Sequence, residues 1–172
     1  MATLHLIHGF VGAGKTTFAK KLESEIAAIR FTHDEWMVKL YGHNPPEAKY
    51  AQYYQKVSEL IWDLTIKLLY LDCDVILDFG FWTRASRDEA RAEARKTNSI
   101  VKLYFISCSE KAVLHRVATR NRNLPQESLY IDLQALASFR LRFESLKEDE
   151  PFILVQTDLE DSLTEAESSG KI

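Results

Sequence analysis

The sequence predicts an α/β fold: a three-layer sandwich in which a five-stranded parallel sheet lies between helices. Three observations predict it. Short β-prone runs alternate with longer stretches of helical periodicity along the chain, as they do when crossover helices join parallel strands. The first strand meets the first helix through a glycine-rich loop, Gly9-Phe10-Val11-Gly12-Ala13-Gly14-Lys15-Thr16. The length of 172 residues, 46% hydrophobic and 27% charged, suits one ordinary globular domain with a substantial core.

The run Thr3-Leu4-His5-Leu6-Ile7-His8 is the first strand. A helix over about residues 15–27 follows the loop, with Phe18, Ala19, Leu22 and Ile26 at helical spacing. Ala28-Ile29-Arg30-Phe31 is a short second strand. Thr32-His33-Asp34-Glu35 has capping-box spacing and starts a helix to about Tyr41, which Gly42 through Pro46 break. A long helix over about 47–71 presents Tyr50, Tyr54, Val57, Ile61, Leu64, Leu68 and Leu71 as one core-facing stripe.

The strand from Cys73 to Phe79 ends at Gly80, and a charged helix occupies about 84–97. Ile100 to Ile106 is a buried strand, and Ser109-Glu110 opens a helix to about Thr119. A polar loop over about 120–130, a helix over about 132–147 and a last strand, Phe152 to Gln156, complete the order βαβααβαβααβ. One domain over about residues 1–160 is expected, with a polar tail over 161–172.

The glycine loop has the form GxxxxGK(S/T), and each residue type in it answers a problem of holding a triphosphate. Gly9, Gly12 and Gly14 let the backbone approach a ligand closely. With Ala13 they turn N–H groups inward as an anion nest, at a helix N-terminus that adds partial positive charge. Lys15 can reach the β- and γ-phosphates, and the Thr16 hydroxyl can coordinate Mg²⁺. The competing reading, a glycine-rich turn with a surface lysine, does not explain the strand and helix that flank the motif.

A net charge of -3 argues against a dedicated nucleic-acid or acidic-membrane binder. Cys73 and Cys108 have no CxxC partner and read as reduced, buried side chains. The five histidines lack metal-ligand spacing, and His33 reads as a satisfied surface residue. No basic segment and apolar run resembles a signal peptide, and no stretch of eighteen or more apolar residues could span a membrane. A cytoplasmic protein, monomer or dimer, is expected.

Five further positions can carry chemistry. Asp78 ends an apolar strand where ligands of open parallel sheets collect; it could order Mg²⁺ or simply satisfy loop amides. Asp34 lies past the second strand, as a general base for an acceptor hydroxyl or as a carboxylate favoured at a helix N-terminus. Arg116 and Arg120 share a helix face and could neutralise a moving phosphoryl group, or form a solvated basic face. Arg84, after Phe79-Gly80-Phe81-Trp82-Thr83, could reach a substrate with Trp82 as an apolar wall, while the rest of its helix reads as exposed.

Taken together, His8 to Thr17, Thr32 to Trp36, Val75 to Trp82, Leu114 to Asn121 and Phe139 to Glu144 resemble small AAA-type P-loop ATP-binding proteins with kinase-like members. These are similar to chloramphenicol phosphotransferase, zeta toxins and the kinase half of polynucleotide kinase. The resemblance implies a nucleoside-kinase-like P-loop NTPase fold, ATP and Mg²⁺ as cofactors, and a phosphoryl acceptor near Asp34. It extends the nucleotide contacts to Thr17 and Arg120 and implies a lid over about 116–130. It also implies adenine near Gln156-Thr157-Asp158. No second subdomain suggests a ring. The expected activity is a kinase of a small hydroxyl-bearing molecule. Rivals are an ATPase switch acting on a macromolecule and a nucleic-acid 5'-hydroxyl kinase, the latter disfavoured by the charge.

Overall fold

The computed structural model describes residues 1–43, 45–123 and 131–158. Its elements are β1 (Thr3–Gly9), α1 (Lys15–Glu25), β2 (Ala28–Phe31), α2 (His33–Tyr41), α3 (Glu47–Tyr70), β3 (Asp74–Gly80), α4 (Arg84–Lys96), β4 (Ile100–Ser107), α5 (Glu110–Arg122), α6 (Leu133–Arg142) and β5 (Ile153–Gln156). The sheet is wholly parallel, in the order β2-β3-β1-β4-β5.

Side-chain alternation divides the core into two layers. Leu4, Leu6, Val75, Leu77 and Leu103 face Val57, Ile61 and Leu69 of α3 and Ala90 and Ala94 of α4. Ile7, Ile76, Tyr104 and Ile106 face the other way, onto Ala19, Phe18 and Leu22 of α1. This is the expected sandwich. Strand β1, buried at every residue, runs down its middle. Its C-terminal end, where chain connections leave in opposite directions, is where such sheets bind ligands. The glycine loop emerges there.

Several local expectations change. Along α3 the buried line is Val57, Ile61, Thr65 and Leu69, whereas Tyr54, Leu64 and Leu71 of the predicted stripe are exposed. Helix α5 continues to Arg122, past the start of the predicted loop. Helix α6 stops at Arg142, short of the predicted end. There Phe143 stacks on His8, and the Glu144 N–H donates to the Trp82 carbonyl at 2.8 Å, drawing the chain out of the helix. The cysteines are half-buried at strand ends, not inside strands. The tail over 161–172 lies outside the described residues.

Helix α4 is less exposed than its charge pattern implies. Arg87 is fully buried, and its Nε and Nη2 donate to the two oxygens of buried Glu150 at 2.8 Å each. Arg91 adds a bond at 3.0 Å, and the Lys147 N–H one at 3.2 Å. The Arg87 hydrogen bonds hold the Glu150 carboxyl down at about 2, below its ordinary value of 4.5. A depressed acid contributes stability above its unfolded value and loses it as pH falls through the folded one. Glu150→Gln should therefore cost about 3 kcal/mol at neutral pH, because it leaves a buried guanidinium without its counter-charge. The loss should shrink between pH 4.5 and about 2, as denaturant titrations at several pH values would measure.

Candidate active site

The glycine loop is held by its own backbone geometry and by side chains from elsewhere in the fold. Gly14 sits at φ 97°, a left-handed conformation that hands the chain into α1. At Gly9 a Cβ would stand 2.6 Å from the Ile106 carbonyl oxygen, so only glycine lets the loop leave the sheet beside β4. Three side chains clamp the loop. Trp82 Nε1 donates to the Gly9 carbonyl at 3.0 Å, Thr157 Oγ1 to the Ala13 carbonyl at 2.7 Å, and Arg116 Nη1 to the same Ala13 carbonyl at 3.3 Å. Lys15 begins α1, and its Nζ donates to the Phe10 carbonyl at 2.9 Å. Burial lowers the pKa of Lys15, while Asp78 and Asp34 oppose the shift. A desolvated ammonium gains more from a phosphate than one in bulk water does.

Asp78 lies near the end of β3 and is buried; its Oδ2 has no hydrogen-bond partner among the described residues. Burial raises its pKa, against Lys15, a hydrogen bond from Thr16 and the Arg30 guanidinium 3.8 Å away. An orphaned carboxylate oxygen beside a hydroxyl is a hard-oxygen pair that fits Mg²⁺. That ion is ordinarily held by one or two carboxylates together with phosphates and water. Among the described residues no group of three or more His, Cys, Asp or Glu is placed to hold a metal ion by itself.

Asp34, the second residue of α2, lines the cavity wall. Its pKa is raised, first by desolvation and then by Asp78, with Lys15 and Arg120 pulling it down. The capping box around it does not form. Thr32 makes no side-chain cap, and Arg30 Nη2 holds the Glu35 carboxylate at 2.7 and 3.0 Å. His33 is buried, not a surface residue. It packs between Tyr54 and Phe79, and desolvation lowers its pKa to about 4.

These groups meet in a cavity of about 1060 Å³ over the loop. Gly12, Gly14, Lys15, Thr16 and Thr17 form its floor, with Asp34 and Asp78 on the wall. Arg116, Arg120 and Trp82 also line it. The two arginines differ. Arg116 is occupied with Thr157, donating to its Oγ1 and carbonyl at 2.9 Å each, so it braces the loop. Arg120 has Nε and Nη2 buried without hydrogen-bond partners among the described residues.

Arg84 is not brought to this cavity. The acidic turn before β5 captures it: Asp149 takes it bidentately at 2.9 and 2.8 Å, and Asp88 at 2.7 Å. Gln156, exposed at the end of β5, does not line the cavity either. Residues 124–130 of the expected lid lie outside the described residues. The sequence reading missed Arg142, which lines the cavity with its guanidinium over Trp82 and Phe139, and Tyr50 and Tyr54, which it assigned to core. It also missed the clamp made by Thr157. No short motif marks any of them.

A family model described as an AAA domain matches residues 4–146. Among curated protein sequences none matches the chain. Solved structures share the fold at low identity. Kti12 of Chaetomium thermophilum, solved with ADP-AlF3, is 16% identical, with a TM-score of 0.68 over 95% of this chain and 94% of that one. A candidate kinase from Chloroflexus aurantiacus is 14% identical, with a TM-score of 0.72 over 99% of each chain. A gluconokinase from Sinorhizobium meliloti is 16% identical, with a TM-score of 0.61 over 96% of this chain and 89% of that one.

Proposed function

The chain belongs to the AAA domain family, with a P-loop kinase-like fold, and from that premise we propose that it transfers the γ-phosphoryl group of ATP to a hydroxyl of a small molecule. One observation carries the proposal beyond nucleotide binding. A carboxylate, Asp34, and a guanidinium, Arg120, whose Nε and Nη2 have no hydrogen-bond partner among the described residues, line the same cavity as the glycine loop. The first is what an acceptor hydroxyl needs, the second what a moving phosphoryl group needs.

In this reading the loop N–H groups and Lys15 hold the β- and γ-phosphates. Thr16 and Asp78 would hold Mg²⁺, which supplies charge neutralisation on the phosphate oxygens. Asp34 accepts the proton of the acceptor hydroxyl as its oxygen bonds to the γ-phosphorus. The bond to the β,γ-bridging oxygen breaks, and ADP leaves. Arg120 offsets the negative charge spread over the transferred group. Arg116 and Thr157 keep the loop in register, and Trp82 walls the acceptor. The proposed lid spans about 116–130, within one domain over about 1–160.

A screen with γ-labelled ATP against hydroxyl-bearing metabolites and antibiotics tests the proposal by following the label. Label appearing on a small acceptor supports it. Label released only as inorganic phosphate, at a rate raised by a protein partner, overturns it in favour of a nucleotide switch.

A further inference from the structure

A second cavity, of about 690 Å³, opens between α3 and α4. It shares a wall with the first: His33, Tyr54, Gln55, Phe79 and Trp82 line both. Asp34 lines the first cavity and not the second, so a molecule seated in the second has to extend past these shared residues to reach it.

The two cavities have opposite charge. Lys15, Lys20, Arg116, Arg120 and Arg142 line the first, as a polyphosphate site requires. Among the described residues no lysine or arginine lines the second, whereas Glu59, Asp63, Glu89 and Glu93 do. Glu93 pairs with Lys96 and Glu59 accepts from the neutral Gln55 amide at 2.9 Å, but among the described residues no cation pairs with Glu59, Asp63 or Glu89. These carboxylates come from two different helices, Glu59 and Asp63 from α3 and Glu89 and Glu93 from α4, which wall the cavity on either side. The walls between them are aromatic, chiefly Trp62, Trp82 and Phe81. Carboxylates beside aromatic faces are the surroundings that favour an organic ammonium group, through charge pairing and cation–π attraction. The volume suits a ligand of a few rings at most.

We propose that this cavity is the acceptor subsite and that the acceptor is an amine-bearing hydroxyl compound, such as an amino sugar or amino alcohol. Its ammonium groups face Asp63, Glu89 and Glu59, and one hydroxyl reaches Asp34. The assignment rests on the kinase reading above and narrows it. Anionic acceptors, including sugar acids and nucleic-acid ends, meet repulsion from every charged residue lining the cavity.

Kanamycin A and its neutral tetra-N-acetyl derivative, which share one hydroxylated scaffold, test the charge requirement directly. Two of the three tryptophans, Trp62 and Trp82, line the cavity, so intrinsic fluorescence reports binding without any need for turnover. Kanamycin A should quench saturably, and the acetylated form should bind at least about tenfold more weakly. The double variant Asp63→Asn/Glu89→Gln should weaken kanamycin A by roughly tenfold without changing ATP affinity. Equal binding of the two compounds, no quenching by kanamycin A, or an unchanged affinity in the double variant would overturn the proposal. Label transfer from γ-labelled ATP is scored separately. Charge-dependent binding of kanamycin A without transfer keeps the cation-binding cavity and removes its role as acceptor subsite; transfer to a neutral acceptor keeps the kinase reading and removes the amine requirement.

Discussion

Lys15→Ala is expected to lower nucleotide turnover by roughly 10²–10³-fold, the usual cost of removing one preorganised electrostatic contact to a phosphoryl group. Lys15 stands at the first position of α1, where alanine is well tolerated, and the loop's own clamps from Trp82, Thr157 and Arg116 stay intact. Helical content should therefore persist. Two changes in the cluster oppose each other. A desolvated ammonium is gone, and Asp78 and Asp34 lose a compensating charge. Steady-state turnover, circular dichroism and a thermal melt on the same sample separate lost chemistry from lost fold.

Asp34→Asn is expected to reduce phosphoryl transfer by roughly 10²–10⁴-fold, the range for losing a general base, with ATP affinity near wild type. Its stability signature is distinctive. The Asp34 carboxyl is harder to ionise in the fold than in the unfolded chain, through desolvation and the Asp78 charge. A raised acid makes the folded state bind protons more tightly, so its ionisation costs stability as pH rises from the ordinary value of 3.8 through the folded one. Asparagine removes that cost. The variant should melt at or above the wild-type temperature at neutral pH while being nearly inactive, as functional carboxylates tend to behave. In wild-type enzyme, transfer should fall on the acid side as Asp34 protonates, and the fall should begin at higher pH than for an unperturbed aspartate. A large loss of ATP affinity in the variant would instead make Asp34 part of the nucleotide site.

The glycine loop between β1 and α1 was legible in the sequence because its requirements are local. Glycines at fixed spacing, a lysine and a hydroxyl between a strand and a helix constrain one another within eight residues. The parallel sheet was legible because alternating elements leave few other topologies. The misreadings involve partners far apart in sequence. Arg87 looks like one of four exposed arginines until Glu150, 63 residues away, is folded against it. Arg84 looks available until Asp149 takes it, and Thr157 shows no signal until it meets Ala13, 144 residues earlier. His33 reads as a surface residue because nothing local announces that Tyr54 and Phe79 enclose it. The acidic second cavity is invisible in the same way, since α3 and α4 supply its carboxylates separately.

Calorimetric titration of wild-type protein with a non-hydrolysable ATP analogue at millimolar Mg²⁺ tests the central claim most directly. The account predicts one saturable site, weakened at least about tenfold by chelating the metal and by Lys15→Ala. No heat with any nucleoside triphosphate, or binding indifferent to both the metal and Lys15, would contradict it.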